Sequence, residues 1–244
     1  MKIEFIKMKF KYALVILAVT FLPNVVNAQN TLDQISLPST SPASVAYSLR
    51  KLSGTYAGPL VRIKVGTSFY DVYPDLSTNK FSLNSKISAS ISTYNAAVSA
   101  AGTSALSSII TAGSTNATVA IWYDQSGNAI HVLSSSAGAS IITAGNINTL
   151  NGQPTIKFSG TTSFLASVAT VNYSTQSGAT VNVIAQNIAT NSVVGGIIST
   201  ASGVYPGYNS SYTASKGYQS DGDGCGYGSN VITNDPKMIT SIFI

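Results

Sequence analysis

Before residue 117 the apolar positions mix helical and alternating spacings; from Ala117 onward they fall into short runs separated by turn residues. Ser41-Pro42 reads as a helix start, with Ser at the N-cap and Pro at the first helical position. Val45, Leu49 and Leu52 follow at i, i+4 and i+7, one apolar stripe that Gly54 terminates. After a turn at Tyr56-Ala57-Gly58-Pro59, Leu60 to Val65 alternates apolar and basic residues, which predicts a strand with one face in water. Tyr70-Asp71-Val72-Tyr73 is a second strand candidate, followed by a turn at Pro74-Asp75. Ile87, Ile91, Tyr94 and Val98, then Leu106, Ile109 and Ile110, are spaced by three and four. They predict one or two short helices between Ser85 and Ile110, although the dense Ser and Thr lower helix propensity there.

Beyond Ala117 the expected strands are Ala117–Tyr123, Ile130–Leu133, Thr155–Phe158, Val181–Gln186, Val193–Ser199 and Met238–Ile244. Turn signals at Ser126-Gly127-Asn128, Asn151-Gly152, Ser159-Gly160, Gly195-Gly196 and Gly207 separate them. This spacing predicts a mainly β chain folded as an antiparallel β-sandwich, with short helices near the N-terminus, and argues against βαβ units. No fixed-period repeat is visible. The sequence stops inside its last apolar run. That fits a closing strand or a C-terminally truncated chain, and truncation is favoured because native termini usually run into polar tails.

Composition changes this picture mainly at the N-terminus. Lys2, Lys7, Lys9 and Lys11 precede an apolar stretch, Tyr12–Leu22, and the small-residue exit Val26-Asn27-Ala28. The pattern is that of a secretory signal peptide over residues 1–28. Its apolar core of about eleven residues is short of the roughly 20 that a membrane-spanning helix needs. Residues 29–41 read as a linker, and 42–244 as one sandwich domain of a secreted or cell-surface protein. The whole chain has 13 Lys+Arg against 8 Asp+Glu, a net charge of +5. Removing the leader removes four lysines and Glu4, leaving little net charge. No basic patch remains to suggest a nucleic-acid partner. The mature chain then has no Glu, so its carboxylates are Asp33, Asp71, Asp75, Asp124, Asp221, Asp223 and Asp235. Cys225 is the only cysteine, either buried or paired with another chain, and with a single His it excludes metal clusters of the Cys/His kind.

The densest chemistry lies at Trp122-Tyr123-Asp124-Gln125-Ser126-Gly127, with His131, the only His, just beyond. Two further blocks accompany it. One is Ala46-Tyr47-Ser48-Leu49-Arg50-Lys51-Leu52 with Tyr56-Ala57-Gly58-Pro59-Leu60 and Arg62. The other is Leu150-Asn151-Gly152-Gln153, leading into Thr155–Phe158. In this order the blocks resemble the catalytic domain of the alpha-L-arabinofuranosidase B family of glycoside hydrolases (family 54). They span roughly Val45 to Gly160. Similar blocks are familiar from large bacterial surface proteins with concanavalin A-like sandwich domains. The resemblance implies a concanavalin A-like or jelly-roll sandwich and removal of terminal arabinofuranosyl residues from arabinan or arabinoxylan. Retention would need two carboxyl groups about 5–5.5 Å apart. In the family these are a Glu and an Asp, both downstream of the three blocks. This chain lacks the Glu and the family's adjacent cysteine pair, and the acid/base Asp would fall beyond Ile244. The runner-up reading is a non-catalytic carbohydrate-binding or adhesive module of a larger surface protein.

Each candidate has a bland reading beside the sharp one. Asp124 and Gln125 either bind sugar hydroxyls or fix a turn, as Asp does in Asx-turns, and the turn is favoured. Tyr123, Asp124, Gln125, Ser126 and Gly127 are accordingly a structural motif. His131 is a general base beside Asp124 or a satisfied histidine, and the second is favoured. Trp122 and Tyr123 face opposite sides of a strand, and burial of Trp122 in the core is expected. Asp221 and Asp223, in the glycine-rich stretch Gln219 to Tyr227, are the only in-chain nominees for catalysis, at the place where the family carries its nucleophile segment. They also resemble part of a Ca2+ loop. The EF-hand pattern is incomplete, because Ile232 stands at the twelfth position counted from Asp221, and a plain surface loop is the favoured reading. Tyr208, Tyr218 and Tyr227, with Tyr205 and Tyr212, offer apolar faces with polar tips suited to polysaccharide or a cell-surface glycan.

Overall fold

In a computed structural model the described residues are 31–34, 43–91, 100–134, 138–159, 163–169, 179–185, 195–198, 209–213, 217–221 and 237–243. They are mainly β and antiparallel. β1 (Val61–Val65), β2 (Ser68–Val72), β3 (Ile87–Ser90), β4 (Ala117–Trp122), β5 (Val132–Ser134), β6 (Ala139–Thr143), β7 (Asn146–Ile147) and β10 (Leu165–Ser167) form one eight-stranded sheet. Its path runs β10-β5-β4-β1-β2-β3, with β6 pairing the other half of β4 and β7 pairing β6. β8 (Thr149–Leu150) and β9 (Gln153–Pro154) make a two-residue hairpin around Asn151-Gly152. β11 (Ala179–Ala185) pairs with β15 (Lys237–Phe243), and β12 (Gly195–Ile198), β13 (Asn209–Thr213) and β14 (Gly217–Asp221) form a three-stranded sheet. Seven expected strands therefore form at or near their expected places, while Thr155–Phe158 contributes only the bridge of Lys157 to Ser140.

β4 shows why this chain folds as sheet. Its residues alternate buried and half-buried along the whole strand, with Ala117, Val119 and Ile121 buried. Ala117 and Val119 pack with Leu49, Leu60, Val61, Ile63, Val72, Phe81, Ile87, Leu106, Ile141 and Ile142 in one core. Trp122 is half-buried and packs against this core, whereas Tyr123, fully buried, joins the polar cluster of Arg62, Asp71 and His131 described below. The expectation for Trp122 is met in part: a β-bulge between Arg62 and Ile63 in the β1–β4 register sets Trp122 opposite the core residue Val61, with its ring partly covered.

The two predicted helical stretches are also corrected. Residues 43–52 are extended, not helical, and bridge Asp124 through Tyr47 and Lys80 through Arg50. Of the supposed stripe only Leu49 is fully buried. Within Ser85–Ile110, Ile87–Ser90 is a strand paired to β2, and Leu106–Ile109 is a single 3-10 turn. Ile87 is buried while Ile91 is exposed, so the spacing of four marks no common face. Tyr94 and Val98 lie outside the described residues. The regular α-helix among the described residues is one turn, α1 (Thr31–Gln34), in the stretch expected to be a linker. It is tied to the next segment by Leu32 N–H to Leu52 O (2.8 Å), Ser53 Oγ to Asp33 Oδ1 (2.9 Å) and Gly54 N–H to Asp33 Oδ2 (2.7 Å). Residues 1–30, which include the expected signal peptide, lie outside the description. No helix among the described residues is long and apolar enough to cross a membrane.

The outer edge of β3 is covered by residues 100–105, through Ile87 N–H to Ser104 O (3.0 Å) and Lys86 Nζ to Thr103 O (2.8 Å). The close approach needs Gly102, because a Cβ there would sit 2.2 Å from the main-chain oxygen of Ile87. Gly102→Ala is therefore expected to destabilise the fold by about 1–3 kcal/mol, the usual cost of overpacking. Chemical denaturation reads this, and an unchanged midpoint would show that the covering segment yields.

Candidate functional site

The sequence motif sits where β4 leaves the sheet, and it binds the chain's own backbone. Both Asp124 oxygens are occupied. Oδ1 accepts Ala46 N–H (2.8 Å) and Ser126 N–H (2.9 Å); Oδ2 accepts Ser126 Oγ–H (2.8 Å) and Ile130 N–H (3.1 Å). Gln125 reaches the same strap of chain. Its Oε1 accepts Leu52 N–H (2.8 Å), and its Nε2 donates to Ser48 O (3.1 Å) and Arg50 O (2.9 Å). Gln125 N–H donates to Ala46 O at 2.8 Å. Asn128 Nδ2 donates to Ala43 O (3.1 Å) and Ser44 O (3.0 Å). Asp124 and Gln125 are both buried, so these bonds replace water on groups that would otherwise be orphaned. The motif therefore fixes its own turn and clamps residues 43–52 onto the end of the sheet.

His131 is buried beneath this turn, 8% exposed, and its Nδ1 accepts the main-chain N–H of Asp124 at 3.0 Å. The neutral ring, with its proton on Nε2, satisfies that geometry. Burial pushes its pKa below the ordinary histidine value; the Asp124 carboxylate opposes the shift and Arg62 reinforces it. His131 meets Tyr123 edge-on, with ring centroids 4.9 Å apart.

Behind Tyr123 lies an ion pair that the alternation of β1 concealed. Arg62, Asp71 and Tyr123 are each 1% exposed. Arg62 Nε and Nη2 bind Asp71 Oδ1 and Oδ2 at 2.8 and 2.9 Å, and Tyr123 O–H donates to Asp71 Oδ1 at 2.7 Å. Only Lys64 gives β1 the expected wet face; Arg62 turns inward because Asp71 stands directly opposite it in the β1–β2 register. Burial disfavours the guanidinium charge, yet the bond to Asp71 together with the electrostatic contributions of Tyr123 and Asp71 outweighs this and leaves the Arg62 pKa raised. Burial also raises the phenols of Tyr123 and Tyr56, and takes Tyr73 to about 12, with Asp71 adding to the effect at Tyr73. All three stay protonated, and Tyr56 O–H closes its turn on Pro59 O at 2.6 Å. Sequence reading missed Asp71 and Arg62 as partners and overrated the solvent access of this region.

Of the other nominees, Asp221 and Tyr218 lie on β14, in the three-stranded sheet. Asp221 ends β14 with its backbone paired to Asn209, and Tyr218 pairs with Tyr212 in the same ladder. Asp223, Tyr208, Tyr227 and Cys225 lie outside the described residues. No group of three or more His, Cys, Asp or Glu suited to a metal ion occurs among the described residues. An open depression of about 410 Å³ lies between the ends of β2 and β3, lined by Phe69 and Tyr70 with the hydroxyl residues Thr67, Ser68 and Ser90. Lys64 Nζ lies 5.8 Å from the centre of the Phe69 ring.

Comparison of the chain with family models, with curated proteins and with solved structures finds no match. The described residues define the class: an antiparallel β protein whose principal sheet ends in a buried polar joint.

Proposed function

We propose that the chain is an exported sandwich module of the concanavalin A-like kind that binds polysaccharide or a cell-surface glycan without cleaving it. The observation that carries this reading is the saturation of Asp124, in a chain that offers no Glu beyond Glu4 for the catalytic pair that the family it resembles places downstream. A nucleophile or general acid needs a carboxyl group open to substrate, whereas Asp124 is buried and spends both oxygens on four protein donors. Asp71 is likewise sealed by Arg62 and Tyr123. The motif that resembles the arabinofuranosidase B family thus serves as scaffold in this reading. Sugar recognition falls to surface aromatics, which give a ring face beside hydroxyl groups. The depression at Phe69 and Tyr70 has that chemistry, as do Tyr208, Tyr218 and Tyr227 by residue type.

The test pairs two assays on the same protein. Arabinan or arabinoxylan is expected to retain the chain in a pull-down, while an aryl arabinofuranoside releases no arabinose. Turnover of that substrate would overturn the reading in favour of a retaining hydrolase. Phe69→Ala is expected to weaken polysaccharide binding about three- to tenfold if that depression takes part.

The scaffold role of Asp124 has its own test. Each Asp124 oxygen accepts a main-chain N–H, so an amide in either rotamer points an NH2 group at a donor. Asp124→Asn should therefore cost about 1–3 kcal/mol of stability while leaving glycan affinity of the folded fraction unchanged. An unchanged melting temperature with lost binding would assign Asp124 to the ligand instead.

A further inference from the structure

We propose that the His131–Asp124 joint is an acid-sensitive latch on the strap formed by residues 43–52. The geometry requires an acceptor at Nδ1 of His131, where the Asp124 N–H arrives at 3.0 Å. An imidazolium has two N–H donors and no acceptor. Protonation therefore sets donor against donor at the residue that grips the strap. Asp124 holds Ala46 through its carboxylate and forms the bridge to Tyr47, and the next residue, Gln125, holds Ser48, Arg50 and Leu52. Tyr47 O–H also donates to Ile130 O, one residue before the histidine, at 2.5 Å.

The surroundings set the direction of the response. The carboxylate of Asp124 favours the imidazolium, and the guanidinium of Arg62 opposes it from β1. Tyr123 packs against the imidazole in a T-shaped arrangement, with its hydroxyl committed to Asp71, and Tyr56 keeps its proton because it is buried near Asp124. Burial dominates, so the latched ring takes a proton less readily than a released one. The released form therefore binds more protons below the ordinary histidine range. The latch is complete above that range and is lost as pH falls toward the depressed value.

The chain carries its own reporter. Trp122 is the only Trp in the sequence, and its ring lies 5.8 Å from that of Tyr47 on the strap, tilted by 44°. His131 is the only His, so one ring-proton NMR signal follows its titration. The experiment lowers the pH of the purified protein from about 8 to about 4 and records Trp emission, that signal and far-ultraviolet circular dichroism. The expected result is a red shift of Trp emission that tracks the His131 titration while the β signal holds, and that disappears in His131→Gln, whose amide oxygen accepts the Asp124 N–H without titrating. Emission that stays flat while His131 titrates overturns the proposal. So does a red shift that coincides with loss of the β signal, or one that persists in His131→Gln. Should that variant fail to fold, the agreement or disagreement of the two wild-type midpoints decides.

Discussion

Arg62→Met is expected to be among the most destabilising single substitutions in the described part of the chain, by about 3–5 kcal/mol. The cost arises from what is left behind. Asp71 would remain 1% exposed with its carboxylate unpaired except for the Tyr123 hydroxyl, and an uncompensated buried charge is far costlier than a lost attraction. In a chain of this length the loss corresponds to roughly 6–20 °C in melting temperature. Replacing the whole set tests the cause. Arg62→Met combined with Asp71→Leu and Tyr123→Phe leaves no orphaned polar group, so most of the stability is expected to return. If the triple variant is as weak as the single one, shape and packing rather than charge desolvation set the cost. If Arg62→Met melts like the wild type, water or another cation reaches Asp71 and the pair is not sealed.

This pair also shows how far the sequence could be read. The strand at Leu60–Val65 was legible from its alternation, but alternation assigns a lone Arg to water. The information that reverses this is the hairpin register. The two-residue turn Gly66-Thr67, with Gly66 at φ +58, sets Arg62 opposite Asp71. A two-residue turn between strand candidates is a readable signal, and it could have placed the carboxylate across from the guanidinium.

The strap was less legible. Its apolar spacing fits a helix, and the Ser-Pro start supports one, because local pattern assumes that the backbone must satisfy itself. Here the partners come from Asp124 and Gln125, 73 to 78 residues away. A side chain that bonds main chain at such a separation leaves no periodic trace. The turn-fixing role of Asp124 was legible because its bonds to Ser126 are local, as in an Asx-turn. Local logic put Trp122 on the core side, where it packs, but could not show that Tyr123 beside it is buried as well. Adjacent strand positions face opposite ways, and the face of Tyr123 is sealed by Arg62 and Asp71 from β1 and β2.

Gln125 gives the second large effect, and one with a pH signature. Gln125→Ala removes three hydrogen bonds to the strap and leaves Leu52 N–H, Ser48 O and Arg50 O without those partners, at an expected cost of about 2–4 kcal/mol. Gln125→Glu is nearly the same size, yet it should be at least as damaging near neutral pH. One oxygen can still accept Leu52 N–H; the other would point a negative charge at two carbonyl oxygens where the amide nitrogen now donates. Burial and those carbonyls would raise the new carboxyl's folded pKa above its unfolded value of about 4.3. The folded state would then bind the proton more tightly than the unfolded state, so the deficit relative to wild type shrinks as pH falls through the raised value. A protonated Glu can donate to one of the two carbonyls, which is the physical source of the recovery. Denaturation of both variants at several pH values separates the two contributions. Gln125→Ala should keep a deficit nearly independent of pH, whereas Gln125→Glu should approach it, or fall below it, only in acid. Equal and pH-independent deficits would mean that the strap moves away from the carboxylate, and that the clamp on Ser48 and Arg50 is looser than its distances imply.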